Sequence, residues 1–88
     1  MKCIKIIVAG KVQGVFFRHN TRLKAIKLGL VGYVKNLADG NVEVIIQGTD
    51  WNIKELIEFI RSNPGNSRVL DVRMEEMKIH EFMDFRIK

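Results

Sequence analysis

Arg18 and the glycines upstream of it are the residues best placed to do chemistry. They lie in Gly10-Lys11-Val12-Gln13-Gly14-Val15-Phe16-Phe17-Arg18, where an apolar strand-like segment gives way to a helix-like one. A glycine-bearing bend at such a junction turns several backbone N–H groups toward one point, and the positive end of the following helix reinforces the field there. The guanidinium of Arg18 adds a planar fork of donors suited to a phosphate or carboxylate. The stretch reads as an anion cradle, with a phosphoryl group as the favoured anion. The same residues also suit a purely structural strand-to-helix turn, with Arg18 paired to a surface acid.

Competing chemistries fit the sequence less well. Gly10-Lys11 is not a nucleotide-binding P-loop: Lys5 stands where that motif needs its first glycine, and Val12 follows the lysine where Ser or Thr is required. Cys3, His19 and His80 are too few and too irregularly spaced to argue a metal site. No Ser-His-Asp or Cys-His signature is present. His19 reads as an exposed neighbour of Arg18, and His80 as a surface residue.

The best polar partner for the cradle is Asn36, at the end of a strand-like run that the fold can bring beside the first strand. Its amide can donate to and accept from one water, but it cannot remove a proton. Taken alone, an asparagine such as Asn36 is more often a turn residue ahead of Asp39-Gly40 than a catalyst. The combination of cradle, arginine and asparagine narrows the chemistry. A phosphomonoester loses an alkoxide and needs a general acid; an acyl phosphate loses a carboxylate, whose acid has a pKa of about 4, and needs none. Phosphoryl transfer passes through a loose transition state that positioning and electrostatics largely stabilise. An acyl phosphate is a substrate for which these groups would suffice.

The elements that must position these residues follow from periodicity. Lys2 to Ala9 is apolar and β-branched, as in a buried strand. A helix capped by Asn20 or Thr21 is expected to run to about Leu28, with Leu23, Ile26 and Leu30 along its inner stripe and Gly29 ending it in the left-handed conformation. Val31 to Asn36 is a second strand. The turn Ala38-Asp39-Gly40-Asn41 leads into a third, whose inner face is Val42, Val44 and Ile46. Asp50 caps a second helix with the stripe Ile53, Leu56, Ile57 and Ile60, ended by Asn63-Pro64-Gly65-Asn66. Leu70, Val72 and Met74 alternate as a fourth strand, and Met83, Phe85 and Ile87 as a short closing one. Phe16 and Phe17 read as packing groups. The order β-α-β-β-α-β plus a final strand is the ferredoxin-like α+β sandwich, an antiparallel sheet with two helices on one face.

The chain has 88 residues, 47% of them hydrophobic, with one proline, which favours one ordered domain spanning 1–88. Its single cysteine, Cys3, cannot form an intramolecular disulfide and reads as buried and inert. Ile6 to Ala9 is too short for a signal-peptide core or a membrane span, so a cytoplasmic location is expected. The net charge of +5 favours anionic partners, but the basic residues are spread along the chain and form no nucleic-acid tail.

The segment Val8 to Arg18 resembles the first signature of the acylphosphatase family throughout. Gly32-Tyr33-Val34-Lys35-Asn36, followed by Gly40, Val42 and Gly48, resembles the second. The resemblance covers nearly the whole chain and weakens after Gly48. It implies a hydrolase cleaving a small-molecule acyl phosphate into a carboxylate and inorganic phosphate, without metal or other cofactor. Arg18 would grip the phosphate, the backbone of Gln13, Gly14, Val15, Phe16, Phe17 and Arg18 would form the cradle, and Asn36 would position the attacking water. The substrate's own phosphate would take the water's proton. A monomer with no membrane or nucleic-acid partner is expected. Two alternatives stand beside this reading. One is an RNA-binding module on the open sheet face, although the aromatics match no RNP pattern. The other is an accessory domain of a larger carbamoyl-phosphate-handling enzyme, against which the absence of sequence beyond residue 88 weighs.

Overall fold

Alternation in β1 (Lys2–Lys11) puts Ile4, Ile6 and Val8 on one face of the sheet, where they pair with Ile46, Val44 and Val42 of β3 (Val42–Gly48). The row continues into β2 (Val31–Asn36), where Val34 stands opposite Val44 and Asn36 opposite Val42. This face is the core. Ile6, Val8, Val34, Val42, Val44 and Ile46 join Phe17 and Ala25 of α1 (Phe17–Lys27) and Ile53, Leu56 and Ile60 of α2 (Asp50–Arg61) in one buried cluster. Both helices therefore lie on the same side. The computed structural model describes the whole chain, Met1–Lys88, and completes the sheet with β4 (Arg68–Met77) and β5 (Phe85–Ile87) in the order β4-β1-β3-β2-β5. Four strands form the antiparallel ferredoxin-like sheet; β5 is added parallel to β2. No helix is long and apolar enough to cross a membrane.

One consequence of this order corrects the placement expected for Asn36. β2 does not lie beside β1; β3 is interposed. The crossover through α1 leaves a one-strand gap, and the β2–β3 hairpin turns back to fill it. Asn36 lies in the same row as Val42 and Val8, separated from β1 by β3.

Several local expectations shift. α1 starts at Phe17, ahead of the expected Asn20 or Thr21 cap, because the chain enters the helix straight from the cradle. Its inner face is consequently Phe17, Thr21 and Ala25, while Leu23 and Ile26 face out. Small residues at 21 and 25 let the helix sit close to the sheet. The cap of α2 is Thr49, whose hydroxyl accepts from the Asn52 N–H at 3.3 Å, and Asp50 instead supplies first-turn negative charge favourable to the helix dipole. In β4 the register slips opposite Ala9/Gly10, so Leu70 is displaced outward; Val69 and Val72 pack on the core, and Met74 is exposed at the sheet edge. Met83 is also exposed, outside β5. The end of α1 is as expected: Gly29 has φ +71, and Leu30 folds back so that its N–H donates to Ala25 O at 2.9 Å.

The opposite sheet face is not open. Segment 78–84 crosses it, held by reciprocal bonds in which Gln47 Nε2 donates to His80 O and the His80 N–H donates to Gln47 Oε1, both at 2.8 Å. Phe82 meets Tyr33 edge-on, with ring centroids 6.3 Å apart. Cys3 is fully buried, and burial pushes its thiol pKa up, as befits an inert core cysteine.

Tyr33 is half-buried and donates its hydroxyl to Glu43 Oε2 at 2.8 Å. Burial, then the hydrogen bond to Glu43 and its negative charge, push the phenol pKa from 10 up to about 12. The fold thus favours the neutral phenol, and that contribution to stability is complete below pH 10 and lost as pH rises toward 12. Tyr33 is the sole tyrosine, so absorbance at the phenolate band reports it alone. The titration midpoint is expected near 12 in the native protein and near 10 in denaturant. Equal midpoints in the two states would remove the Tyr33–Glu43 bond from the account.

Candidate active site

The loop between β1 and α1 has alternating backbone handedness. Gly14 has φ +72 and Phe16 φ +64, while Val15 between them lies at negative φ. Such alternation points consecutive N–H groups the same way and makes an anion-binding concavity. Phe16 occupies the N-cap of α1 with φ 64 and ψ 19 and provides no side-chain cap. A left-handed conformation at a non-glycine residue costs of order 1–3 kcal/mol and persists only where its surroundings enforce it.

Hydrogen bonding shows how it is enforced. The carbonyls of the loop are turned away and satisfied elsewhere. Val15 O accepts from the Asn66 N–H at 3.0 Å, and Phe16 O accepts both from the Asn20 N–H at 3.1 Å and from Asn20 Nδ2 at 2.8 Å. The N–H groups of Gly14, Val15 and Phe16 bond to nothing within the protein, and those of Phe17 to His19 precede the first intrahelical partners. The first turn of α1 carries no acid, so its positive dipole end is uncompensated. Gly65, in the loop after α2, lies against the cradle from behind: a Cβ there would stand 2.5 Å from Val15 O, and its φ of +66 is itself left-handed. The Pro64-Gly65 turn is therefore a buttress of the site.

Arg18 sits on the first turn of α1 beside this concavity. Its Nη1 donates to Lys88 O at 3.2 Å, which docks the side chain at the end of β5. No aspartate or glutamate side chain pairs with Arg18, so the expectation of a surface acidic side chain as its partner is not met, and its other guanidinium donors make no hydrogen bond within the protein. Lys88 in turn donates its N–H to Val34 O at 2.8 Å, two residues before Asn36 on β2. Arg18 and the end of β2 are thus tied through one residue. Gly14, Phe16, Phe17, Arg18 and His19 line a cleft of about 310 Å³ together with Val12 and Ile87.

Asn36, at the end of β2, is not among the residues that line this cleft. Its Oδ1 is buried with no hydrogen-bond partner in the protein. The turn that follows is closed by Asp39, whose Oδ1 accepts from the Asn41 N–H at 3.0 Å. Asn36 is not the residue that holds the turn. The connection to the cradle is made by Gln13, whose Nε2 donates to Leu37 O at 2.8 Å and to Asn41 O at 2.9 Å. This side-chain clasp fixes the β2–β3 loop, and with it Asn36, to the residue that opens the cradle. Gln13 had been noted only for its backbone; the loop carbonyls it reaches are distant in sequence, and nothing in the sequence pairs them with it.

Phe17 is buried as expected, but Phe16 is 67% exposed and packs on no core residue. The left-handed backbone that opens the cradle also throws the ring of Phe16 outward.

Similarity to known proteins agrees with this geometry. Residues 4–87 match the family model described as Acylphosphatase. A curated acylphosphatase from Dehalococcoides mccartyi (strain CBDB1) is 47% identical over 90 aligned residues, covering all of this chain and 99% of the relative. The crystal structure of acylphosphatase from Bacillus subtilis superposes with a TM-score of 0.96 at 34% identity, covering 100% of this chain and 99% of that one. An acylphosphatase structure from Coxiella burnetii gives a TM-score of 0.93 at 42% identity, covering 99% and 92% of the two chains. With a family match across nearly its full length, a curated relative at 47% identity and the same fold in solved acylphosphatases, the chain belongs to the acylphosphatase family.

Proposed function

We propose that the protein hydrolyses small-molecule acyl phosphates to a carboxylate and inorganic phosphate without a metal ion, using Arg18 and the backbone amides from Gln13 to Arg18 to hold the phosphoryl group and Asn36 to position water. The observation that carries this reading is the run of unpaired loop amides facing away from satisfied carbonyls, beside an arginine that no acidic side chain pairs. The phosphoryl oxygens take the amide and guanidinium donors, which are in place before substrate arrives. Water, oriented by the Asn36 amide, forms a new bond to phosphorus as the bond from phosphorus to the acyl oxygen breaks. The electron pair leaves with the carboxylate, and the proton released by water passes to a phosphate oxygen. No general acid is needed, because the leaving group is the anion of an acid of pKa about 4. Negative charge on the peripheral oxygens meets preorganised donors, the setting in which electrostatic stabilisation is most effective. The same reading has the chain acting in the cytoplasm as a monomer, without a nucleic-acid partner.

Turnover of benzoyl phosphate with a chelator present is expected to equal that without it. Arg18→Gln should lower kcat/KM by at least about 10³-fold and abolish competitive inhibition by inorganic phosphate. If Arg18→Gln kept wild-type phosphate inhibition, the cradle assignment would fail.

Asn36→Ala should lower kcat by about 10²-fold while phosphate inhibition stays within about threefold of wild type. Full activity in this variant would exclude Asn36 as the water-positioning group.

Gln13 acts through Asn36 and the loop, as a positioning residue. Gln13→Leu removes two hydrogen bonds of about 0.5–1.5 kcal/mol each while both carbonyls keep a backbone donor, Gly40 N–H for Leu37 O and Leu37 N–H for Asn41 O, so Tm should fall by at least about 4 °C. The diagnostic readout is kinetic: kcat should drop by about tenfold with KM little altered. A lower Tm with unchanged kcat would reduce the clasp to a purely structural contact.

A further inference from the structure

Folding does not explain the side chain at position 16. The backbone there has φ +64, which glycine adopts freely and phenylalanine does not. The ring gains nothing from the core in return, being 67% exposed and outside the buried cluster. It instead lines the cleft that holds Arg18 and the cradle amides. The other apolar lining residues differ among themselves: Val12 and Phe17 are each 1% exposed, whereas Ile87 on β5 is 41% exposed. The cleft therefore presents two accessible apolar side chains, one on the cradle loop and one on the last strand. At about 310 Å³ it has room for about ten waters at ~30 Å³ each, more than a phosphoryl group fills.

We infer that Phe16 is a specificity-determining residue whose exposed ring packs against the acyl body of the substrate, biasing the site toward acyl phosphates with an aromatic or bulky apolar acyl group over those with a short one. Ile87 forms the second apolar contact. The division of labour is chemical: cradle and Arg18 recognise what every acyl phosphate shares, and Phe16 what differs. Ring-to-ring contact of offset or edge geometry is worth several-fold in affinity beyond simple burial. This inference rests on the acyl phosphate reading above.

The test is the ratio of kcat/KM for benzoyl phosphate to that for acetyl phosphate, in wild type, Phe16→Gly and Phe16→Leu. General damage to the cradle lowers both substrates together and cancels in the ratio. The ratio is expected to fall about fivefold in Phe16→Gly and about twofold in Phe16→Leu, which keeps an apolar side chain but loses the ring. A wild-type ratio in both variants, with the wild-type enzyme active, overturns the role of Phe16 and leaves the acyl phosphate reading standing. A folded wild-type protein that turns over neither substrate overturns that reading, and the role of Phe16 with it.

Discussion

Every feature of the site depends on where two carbonyls point. A loop can aim consecutive N–H groups into one cleft only if its C=O groups face the other way and find donors there. In this protein the Asn66 N–H takes Val15 O, and the backbone and side chain of Asn20 take Phe16 O. Gly65 allows the loop after α2 to approach closely enough for the first of these bonds. The cradle is therefore held from behind by a segment far away in sequence, and the left-handed Phe16 is stabilised by the fold against its local preference.

The remaining parts of the site are attached to this loop by hydrogen bonds that cross between elements. Gln13 clasps the β2–β3 loop, and Arg18 reaches β5, itself bonded to β2 through Lys88. Arg22, one turn further along α1, donates to Phe85 O at 3.2 Å and continues the lacing of that helix to β5. The parallel addition of β5 is thus more than an extra edge strand; it carries Lys88, whose main-chain oxygen accepts from Arg18, and it supplies Ile87 to the cleft. A site built this way spans three connections of the chain yet presents fixed donors. That suits phosphoryl transfer, in which positioning matters more than covalent chemistry.

Much of this architecture was legible in the sequence because its signals are local. The alternation of Val42, Val44 and Ile46 marked the inner face of β3, and Gly29 marked the end of α1. The glycines between Gly10 and Arg18 marked the bend from β1 into α1, where Gly14 is left-handed. The misread features are those where tertiary contacts override local preference. Leu23 and Ile26 have helical spacing, but α1 begins before Asn20 and buries Phe17, Thr21 and Ala25 instead. Leu70 alternates correctly with Val72, but the slip opposite Ala9/Gly10 turns it outward. Phe16 has the composition of a core residue, but the backbone that opens the cradle exposes it.

The class of fold and the family could be read from the chain alone, because periodicity, turn residues and motif spacing act over a few residues and survive without long-range contacts. Only the tertiary structure decided how the candidate site residues are arranged. It placed β3 between β1 and β2, left Arg18 without an acidic side chain as partner, made Gln13 a clasp rather than only a loop amide, and put the exposed Phe16 in the lining of the cleft. Each of these turns on a hydrogen bond or a packing contact between segments remote in the chain. Such contacts exist only once the two helices have closed over the sheet.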